Sequence, residues 1–464
     1  MQGKHWLIIV AMLVWGACDW KVPNSHRCPD GEDCPPVGGP CEGDNECRAP
    51  TPVCNEVANV CVECMENTDC AASRPICSSQ NECVQCQSDD DCESKLCLDG
   101  GGCAAPNEVT YIGGANAMDN PTCTRDNPCE NLEQGLKAMA LRRYIKLTGP
   151  ITESAERTIN KTVTIYGRSG AQIARTGNGE VLLLKGMTSP IIHLIGLEIV
   201  GNPGSGGKDC VELSEKAEVT MTRVRVRNHG QAGIALVGTA KLVMIDSHVH
   251  NHELEGINAG AGTTLELYRS LIYSNANGTT AVAGVNATSA AMVKIDSSTI
   301  TTNPGTAGGV SITGPFSIKN SIIAVNGSVA KTTVAGGLNL NPVQATNLAE
   351  FEFNTVADNS SPSGAGLICV AVPVKVSNSI ITVNTAIGCD ILHSLTGLTG
   401  TPEGTNKVGD PMFVTKALLD PMFYRIGAMS TARDSADPAA TLDVDIDGQK
   451  RDDARKDMGA DEYK

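Results

Sequence analysis

The chain has 464 residues and a formal net charge of −16 at pH 7. Aromatic residues make up only 3%, whereas there are 48 glycines and 20 cysteines, a composition that favours short strands and turns over helical bundles. An acidic chain of this kind is poorly suited to bind nucleic acid or an anionic membrane surface, so we expect no nucleic-acid partner.

The first eighteen residues have the pattern of a signal peptide. Lys4 and His5 precede an apolar run at 6–15, which Gly16, Ala17 and Cys18 follow. The run is shorter than the roughly 20 apolar residues that a membrane-spanning helix needs. Gly-Ala-Cys resembles a bacterial lipobox, and the resemblance implies lipidation of Cys18, export, and membrane attachment through that anchor alone. The alternative is ordinary secretion, and in either case the cysteines should form disulfides.

Residues 19–40 are rich in Pro, Gly and Asp and are predicted to be a linker. Cys28 and Cys34 in this stretch are expected to pair with each other. Residues 19–106 as a whole hold 17 acidic and 5 basic residues.

Residues 41–106 contain three cysteine-rich units with a period of 22 to 23 residues. A unit this short and polar cannot bury a core of its own, so we expect disulfides to supply its stability. Each unit has an acidic-polar stretch before its second cysteine (GDNEC, ENTDC, SDDDC). The cysteines are Cys41, Cys47, Cys54 and Cys61; Cys64, Cys70, Cys77 and Cys83; and Cys86, Cys92, Cys97 and Cys103.

The spacing leaves the pairing within these units open. Two Cys-x-x-Cys pairs, one starting at Cys61 and one at Cys83, also fit a four-cysteine zinc site, although they fall at the seams between units. The block resembles Dickkopf-type N-terminal cysteine-rich repeats of exported bacterial proteins. That resemblance implies a spacer or interaction module without chemistry of its own.

Residues 107–429 are predicted to form a solenoid. Short β-branched runs alternate with turns, and eight of the runs end in an asparagine, with a mean period of about 26 residues. That period fits one coil of a parallel β-helix, in which each Asn would occupy a left-handed turn and hydrogen-bond to its stacked copy. The asparagines are Asn202, Asn228, Asn251, Asn275, Asn303, Asn326, Asn359 and Asn384.

This body resembles the right-handed parallel β-helix, or pectin-lyase-like, family. The resemblance implies an all-β fold of about eight to ten coils behind an N-terminal capping helix, which Asn131 and Gln134 would start. Leu132, Leu136, Met139 and Ala140 would form its apolar face. Cys123 with Cys129 and Cys369 with Cys389 are candidate disulfides, which leaves Cys210 as a buried thiol.

Residues 430–464 form an Asp-rich C-terminal cap. They resemble the terminal signature of the choice-of-anchor Q group of bacterial β-helix proteins, carried by Asp445, Asp447, Gly448, Arg451, Asp457, Gly459, Ala460 and Glu462. Asp443, Asp445 and Asp447 also have the opening spacing of a calcium loop, although Ala454 stands where the bidentate Glu of an EF-hand belongs. Calcium is therefore the one candidate cofactor, and the alternative is an acidic solvated turn.

One patch of the solenoid combines arginines with histidines across two neighbouring coils. Arg223, Arg225 and Arg227 alternate with valines, which predicts arginines on the solvent face of a strand. Stacking places Arg225 beside His248, Arg227 beside His250, and His229 beside His252. This wall is a candidate site for a uronate carboxylate, or for a metal held by His248 and His250. The plainest interpretation is a solvated strand face.

The clustered acids of polygalacturonase-like sites do not occur in the solenoid sequence, and fold alone does not establish activity. We therefore expect an envelope protein with a binding or structural role, whose partner is an acidic polysaccharide or another envelope component. The alternative is a polysaccharide lyase or glycoside hydrolase that works from the arginine–histidine wall.

Overall fold

The computed structural model describes residues 39–139, 142–204, 206–278, 281–342, 348–397, 403–451 and 455–464. The chain divides into two compact units, with the boundary between Ala104 and Ala105. Cys18, the Cys28–Cys34 pair and most of the predicted linker lie outside the described residues. Within them, no helix has the length and apolar character needed to cross a bilayer.

The first unit is held together by two disulfides in each cysteine-rich repeat. The first cysteine of a repeat bonds to the third, and the second bonds to the fourth. This pairing uses all twelve cysteines, so the zinc interpretation is wrong. The bonds are Cys41–Cys54, Cys47–Cys61, Cys64–Cys77, Cys70–Cys83, Cys86–Cys97 and Cys92–Cys103.

Each repeat begins with a short 3-10 helix, at Asp44–Glu46, Asn67–Asp69 and Asp89–Asp91. In the first two repeats a hairpin follows, formed by Val53–Asn55 with Val60–Val62 and by Ile76–Cys77 with Cys83–Val84.

The acidic positions of the repeats have a structural role. The Asp69 carboxylate accepts hydrogen bonds from the backbone N–H groups of Met65 and Glu66, at 2.8 and 2.9 Å, and these bonds lower its pKa. Asp91 is bonded in the same way in the third repeat. The recurrent acids therefore close local turns and do not by themselves indicate a ligand.

The second unit is a parallel β-helix built from three sheets. Among the described residues, sheet 1 has twelve strands, sheet 2 has eleven and sheet 3 has ten, and every strand pairs in parallel with its counterpart one coil away. The predicted fold is confirmed, and the ten strands of sheet 3 agree with the eight to ten coils expected. From the strand Tyr144–Leu147 onward, the chain passes through sheets 1, 2 and 3 in that order.

The strands of sheet 1 are Val109–Ile112, Tyr144–Leu147, Val163–Tyr166, Ile191–Ile195, Glu218–Thr222, Lys241–Ile245, Thr264–Tyr268, Met292–Asp296, Phe316–Lys319, Ala349–Glu352, Lys375–Ser377 and Asp390–Leu392. The strands of sheet 2 are Ile151–Glu153, Gln172–Arg175, Glu198–Val200, Arg225–His229, His248–His252, Leu271–Tyr273, Thr299–Thr301, Ile322–Ala324, Thr355–Ala357, Ile380–Thr382 and Leu395–Thr396. The strands of sheet 3 are Arg157–Ile159, Leu182–Gly186, Val211–Glu215, Ile234–Leu236, Ile257–Ala259, Val285–Thr288, Val310–Thr313, Leu338–Asn341, Ala365–Cys369 and Thr385–Ile387.

The N-terminal end of the solenoid is covered as predicted. A 3-10 turn, Pro106–Glu108, leads into the first strand, and the helix Leu132–Ala138 follows. The Asn131 side chain accepts the backbone N–H of Gln134 at 3.0 Å, which caps the helix. Leu132, Leu136 and Met139 are buried in the main core, whereas Ala140 lies outside the described residues.

The two predicted disulfides of the solenoid, Cys123–Cys129 and Cys369–Cys389, are both present. Cys210 is a buried free thiol, as expected.

The asparagine ladder is split between two adjacent positions of each coil. Asn228 and Asn251 match the prediction, since both are left-handed with φ of 61° and Asn251 Nδ2 donates to Asn228 Oδ1 at 3.3 Å. Asn275, Asn303, Asn326 and Asn359 lie one position later, where each backbone N–H donates to the side chain one coil on, at 3.0 Å for Asn275 to Asn303. The left-handed conformation predicted for these asparagines belongs instead to the preceding residue, such as Ser274. In the coils of Asn228 and Asn251, His229 and His252 occupy the later position, so the left-handed turn and the ladder bond belong to adjacent residues.

A second ladder, which includes serine hydroxyls, lies five residues before the first one in each coil. It was not predicted from the sequence. The hydroxyl of Ser270 accepts the backbone N–H of Ser247 at 3.3 Å, and that of Ser298 accepts from Ser270 at 3.1 Å. The spacing Ser-x-x-x-x-Asn, as in Ser270 and Asn275, was the available signal.

The C-terminal cap folds back over the outer face of sheet 2. Six of its eight signature residues are buried in a network around Arg451, whereas Asp447 and Gly448 are exposed. Arg451 donates to the Glu462 carboxylate at 3.0 Å and to the Gly459 carbonyl oxygen at 2.9 Å. Asp445 Oδ2 accepts the backbone N–H of Glu462 at 3.1 Å. The signature therefore has a structural role, since it ties the end of the chain to the last coils.

Candidate binding groove

The arginine–histidine wall lies on sheet 2 in the predicted register. Arg225 pairs with His248, Arg227 with His250, and His229 with His252. The valines between the arginines are fully buried, so Arg225, Arg227, His248 and His250 project from the outer face.

Arg223 does not belong to this face. It sits at the corner between sheets 1 and 2 with φ of 54°, before the strand begins at Arg225. The same corner is occupied by Asp246 and Arg269 in the next two coils, and their side chains form an ion pair at 2.7 Å. The prediction that three arginines line one strand face is therefore wrong for Arg223.

His229 and His252 are also absent from the outer face, because each is only 1% exposed. His229 Nδ1 accepts the backbone N–H of Asn202 at 3.0 Å, and its Nε2 donates to the Lys208 carbonyl oxygen at 2.7 Å. Burial lowers the pKa of both imidazoles, to about 3 for His252. They belong to the ladder and cannot contact a ligand on the wall.

The remaining wall residues line a groove with a volume of about 560 Å³. Its lining, which we call the Arg–His groove, is Glu198, Arg225, Arg227, Asn228, His248, His250, Asn251, Tyr273 and Leu419. The wall is therefore concave, which distinguishes it from a flat solvated face.

Glu198 holds the two arginines in place. Its carboxylate accepts from Arg227 Nη2 at 3.0 Å and from Arg225 Nη1 at 3.3 Å. Burial opposes ionisation of Glu198, but the two guanidinium groups outweigh it and hold its pKa below the usual value. One carboxylate for two guanidinium groups leaves the groove with one excess positive charge.

An aromatic stack lies beside the arginines. The His250 ring stacks on Tyr273 with centroids 4.6 Å apart and an interplanar angle of 13°. His248 meets Tyr273 edge-on at 6.5 Å. Burial lowers the pKa of both histidines, to about 4 for His250, so the imidazoles are neutral at pH 7.

A second compartment of about 510 Å³ continues the Arg–His groove along the solenoid axis. His248 and Leu419 line both compartments. The second one adds Thr299 from sheet 2 and Arg269 and Ser297 from the corner between sheets 1 and 2. It also includes the C-terminal residues Leu418–Pro421, Phe423, Arg425 and Asp447.

The predicted calcium residues are arranged differently from the sequence expectation. The carboxylates of Asp445, Asp447 and Asp461 lie within 4.8 Å of one another, whereas Asp443 faces Lys456 at 3.6 Å. Arg425 binds Asp447 through two hydrogen bonds of 2.6 and 2.7 Å. A guanidinium group thus supplies positive charge to this cluster, and the donor set does not fit a calcium ion well. Asp452, Asp453 and Ala454 lie outside the described residues.

No protein-family model and no curated protein matches the sequence. Among solved structures, the pectate lyase Pel9A matches with a TM-score of 0.51 at 12% identity, over 77% of this chain and 96% of that one. The chain has a pectate-lyase-like parallel β-helix fold. At this identity the likeness concerns the fold alone.

Sequence reasoning missed three kinds of groove residue. Glu198 and Tyr273 stand at the wall positions of the coils on either side, so aligning four coils instead of two would have found them. Asn228 and Asn251 were predicted to bond to each other as stacked copies, which they do, and they also line the groove. Leu419 comes from the residues that follow the last strand, Leu395–Thr396, which we call the C-terminal segment, and no local pattern places Leu419 in the groove.

Proposed function

We propose that the Arg–His groove binds an acidic polysaccharide, with uronate carboxylates against Arg225 and Arg227. The observation that carries this proposal is the placing of two guanidinium groups beside the stacked rings of His250 and Tyr273 in one concave site. Guanidinium groups bind carboxylates through paired hydrogen bonds, and ring faces pack against sugar C–H surfaces. The side-chain amides of Asn228 and Asn251 add donors for hydroxyl groups.

A binding role fits the groove better than catalysis. Burial lowers the pKa of His250 to about 4, which makes it a weak base near pH 7, and burial lowers the pKa of His248 as well. Glu198, whose pKa is lowered, is a poor general acid. The guanidinium groups of both arginines are paired with the Glu198 carboxylate, and this contact opposes a role as base.

Calorimetry with oligogalacturonate tests the proposal. Wild type should bind, with an affinity that falls as salt rises. The double variant Arg225→Gln/His248→Gln should bind at least tenfold more weakly and keep the wild-type melting temperature within a few degrees. The double variant Lys216→Gln/His193→Gln removes one basic side chain and one histidine outside the groove and should bind normally. No binding by wild type, or equal loss in both variants, would refute the proposal.

A second candidate function is polysaccharide lyase or glycoside hydrolase activity, which the likeness to a pectate lyase supports. Ultraviolet absorbance of unsaturated uronates would detect a lyase, and new reducing ends would detect either enzyme. Turnover that Arg225→Gln abolishes would replace the binding proposal with the enzymatic one.

We also propose that the protein is exported and lipid-anchored to a bacterial envelope through Cys18. The signal-peptide pattern and the eight disulfides of the described residues support an oxidising compartment. Cys18→Ser should release the protein from the membrane fraction, and unchanged membrane association would refute the anchor.

Membership of the choice-of-anchor Q group, with Dickkopf-type repeats, is likewise a proposal. It is supported by the burial of the signature residues Arg451, Asp457 and Glu462 in one network.

A further inference from the structure

The outer face of sheet 2 changes character along the solenoid axis. Outward positions of the earlier coils, such as Arg225 and Tyr273, line the Arg–His groove, and Thr299 lines the second compartment. Ile322, Ala324 and Ala357 occupy the equivalent positions in the next two coils and are fully buried. Thr301, which precedes Ala324 in the same register, is also fully buried, so something covers the sheet from Thr301 onward.

The cover is the C-terminal segment. Phe423, Tyr424 and Ile446 pack on Ile322 and Ala324 in one apolar cluster. Polar contacts fasten the segment at both sides of that cluster. The Tyr424 hydroxyl donates to Asp358, Lys416 Nζ pairs with Asp358 at 2.6 Å, and Asn320 Nδ2 donates to the Val444 carbonyl oxygen at 2.9 Å.

The edge of this cover forms the end wall of the second compartment. Leu418–Pro421 and Phe423 line it, and Leu419 reaches far enough to line the Arg–His groove as well. In the opposite direction, the outward side chains Gln172, Ala174 and Val200 are part-exposed. A linear chain lying along the axis can therefore leave the groove past Glu198 but meets the C-terminal segment beyond Thr299.

We propose that the groove recognises the end of an acidic polysaccharide chain and not its interior. This inference rests on the proposed function, because it names the part of the same ligand that the site accepts. The terminal sugar would lie in the second compartment, among the hydroxyl groups of Ser297 and Thr299 and the ion pairs Arg269–Asp246 and Arg425–Asp447. A terminal unit has a free hydroxyl where an interior unit has a glycosidic bond, and these polar groups suit it.

The test is calorimetry with oligogalacturonates of increasing length and with long polygalacturonate. End recognition predicts that the affinity per mole of chain levels off once the groove is filled. It also predicts that the polymer binds a number of proteins that does not grow with chain length. A number of bound proteins that increases in proportion to chain length would overturn the inference. No binding at any length would instead refute the proposed function.

Chemical blocking of chain ends gives an independent readout. Oligomers reduced at one end, or carrying a bulky cap at the other, should lose at least tenfold in affinity for one of the two modifications. Equal affinity of both blocked oligomers and the parent would overturn end recognition.

A variant of Leu419, which belongs to the end wall formed by the C-terminal segment, completes the test. Leu419 is 64% exposed, so Leu419→Trp should fold normally while filling part of both compartments and weakening binding at every length. Met187→Trp is a matched control, since Met187 is 67% exposed and does not line either compartment. Unchanged affinity in Leu419→Trp would show that the end wall does not contact the ligand.

Discussion

His252 takes the place in its coil that Asn275 takes in the next. His252 Nε2 donates to the Val226 carbonyl oxygen at 3.2 Å, and the Asn275 amide donates to the equivalent Val249 oxygen at 3.0 Å. The backbone N–H of His252 in turn donates to Asn275 Oδ1 at 3.3 Å. An imidazole thus continues an asparagine ladder, although its Nδ1 is buried without a hydrogen-bond partner.

The histidine at this ladder position makes the free energy of unfolding depend on pH. The pKa of His252 falls from about 6.5 in the unfolded chain to about 3 in the folded one. Between those values the unfolded state binds the extra proton, so the free energy of unfolding decreases as the pH falls. His252→Asn should remove on the order of 2 kcal/mol of this decrease between pH 7 and pH 4.5, as measured by urea unfolding at both pH values.

His193→Asn is the control for that measurement, because His193 lies on the outer face of sheet 1. Asp209 and Asp461, whose pKa values burial raises to about 6, act in the opposite direction. They are present in every variant and cancel in the comparison. An unchanged pH dependence in His252→Asn would contradict the ladder assignment.

A row of glycines makes room for the ladder. A Cβ on Gly309 would lie 2.8 Å from the Asn326 amide group and 2.9 Å from the Gly337 carbonyl oxygen. Gly309→Ala should therefore lower the free energy of unfolding by about 1–3 kcal/mol, the usual cost of overpacking. Gly204→Ala, where the nearest atoms are 3.7 Å away, should be close to neutral in the same chemical denaturation. Equal effects would indicate that the ladder tolerates a methyl group.

The C-terminal network should respond strongly to loss of one charge. Arg451 and Glu462 have side chains that are 0% exposed. Arg451→Met leaves the Glu462 carboxylate buried and unpaired, which costs roughly 3–5 kcal/mol. Arg451→Met/Glu462→Met should recover part of that loss, and a double-mutant cycle from thermal melts measures the coupling. Additive losses would mean that the two side chains stabilise the cap independently.

Thiol chemistry separates Cys210 from the other cysteines of the described residues. Burial raises the pKa of the Cys210 thiol, so the native protein should not alkylate there, whereas the denatured, unreduced protein should. Non-reducing peptide mapping should recover the eight disulfides of the described residues, with the first cysteine of each repeat joined to the third. Labelling of Cys210 in the native state, or neighbouring cysteines joined within a repeat, would contradict the structure.

Much of the fold was predictable from the spacing of residues along the sequence. Matching the turns of two neighbouring coils aligned Arg225 with His248 and Arg227 with His250, because parallel strands pair with their copies one repeat away. The helix that starts after Asn131 and the pairing of Cys369 with Cys389 followed from short patterns in the same way.

The sequence by itself determined the solenoid, its register and the alternation of inward and outward side chains within strands, as at Arg225, Val226 and Arg227, since all of these depend on period within a few dozen residues. Only the tertiary structure decided which of two adjacent polar residues turns inward, as at Asn228 and His229, because both fit the same local pattern. It also decided that the groove ends at Leu419. That wall depends on contacts such as Arg451 with Asn320, across 131 residues of chain, and no repeat within the solenoid encodes the distance between them.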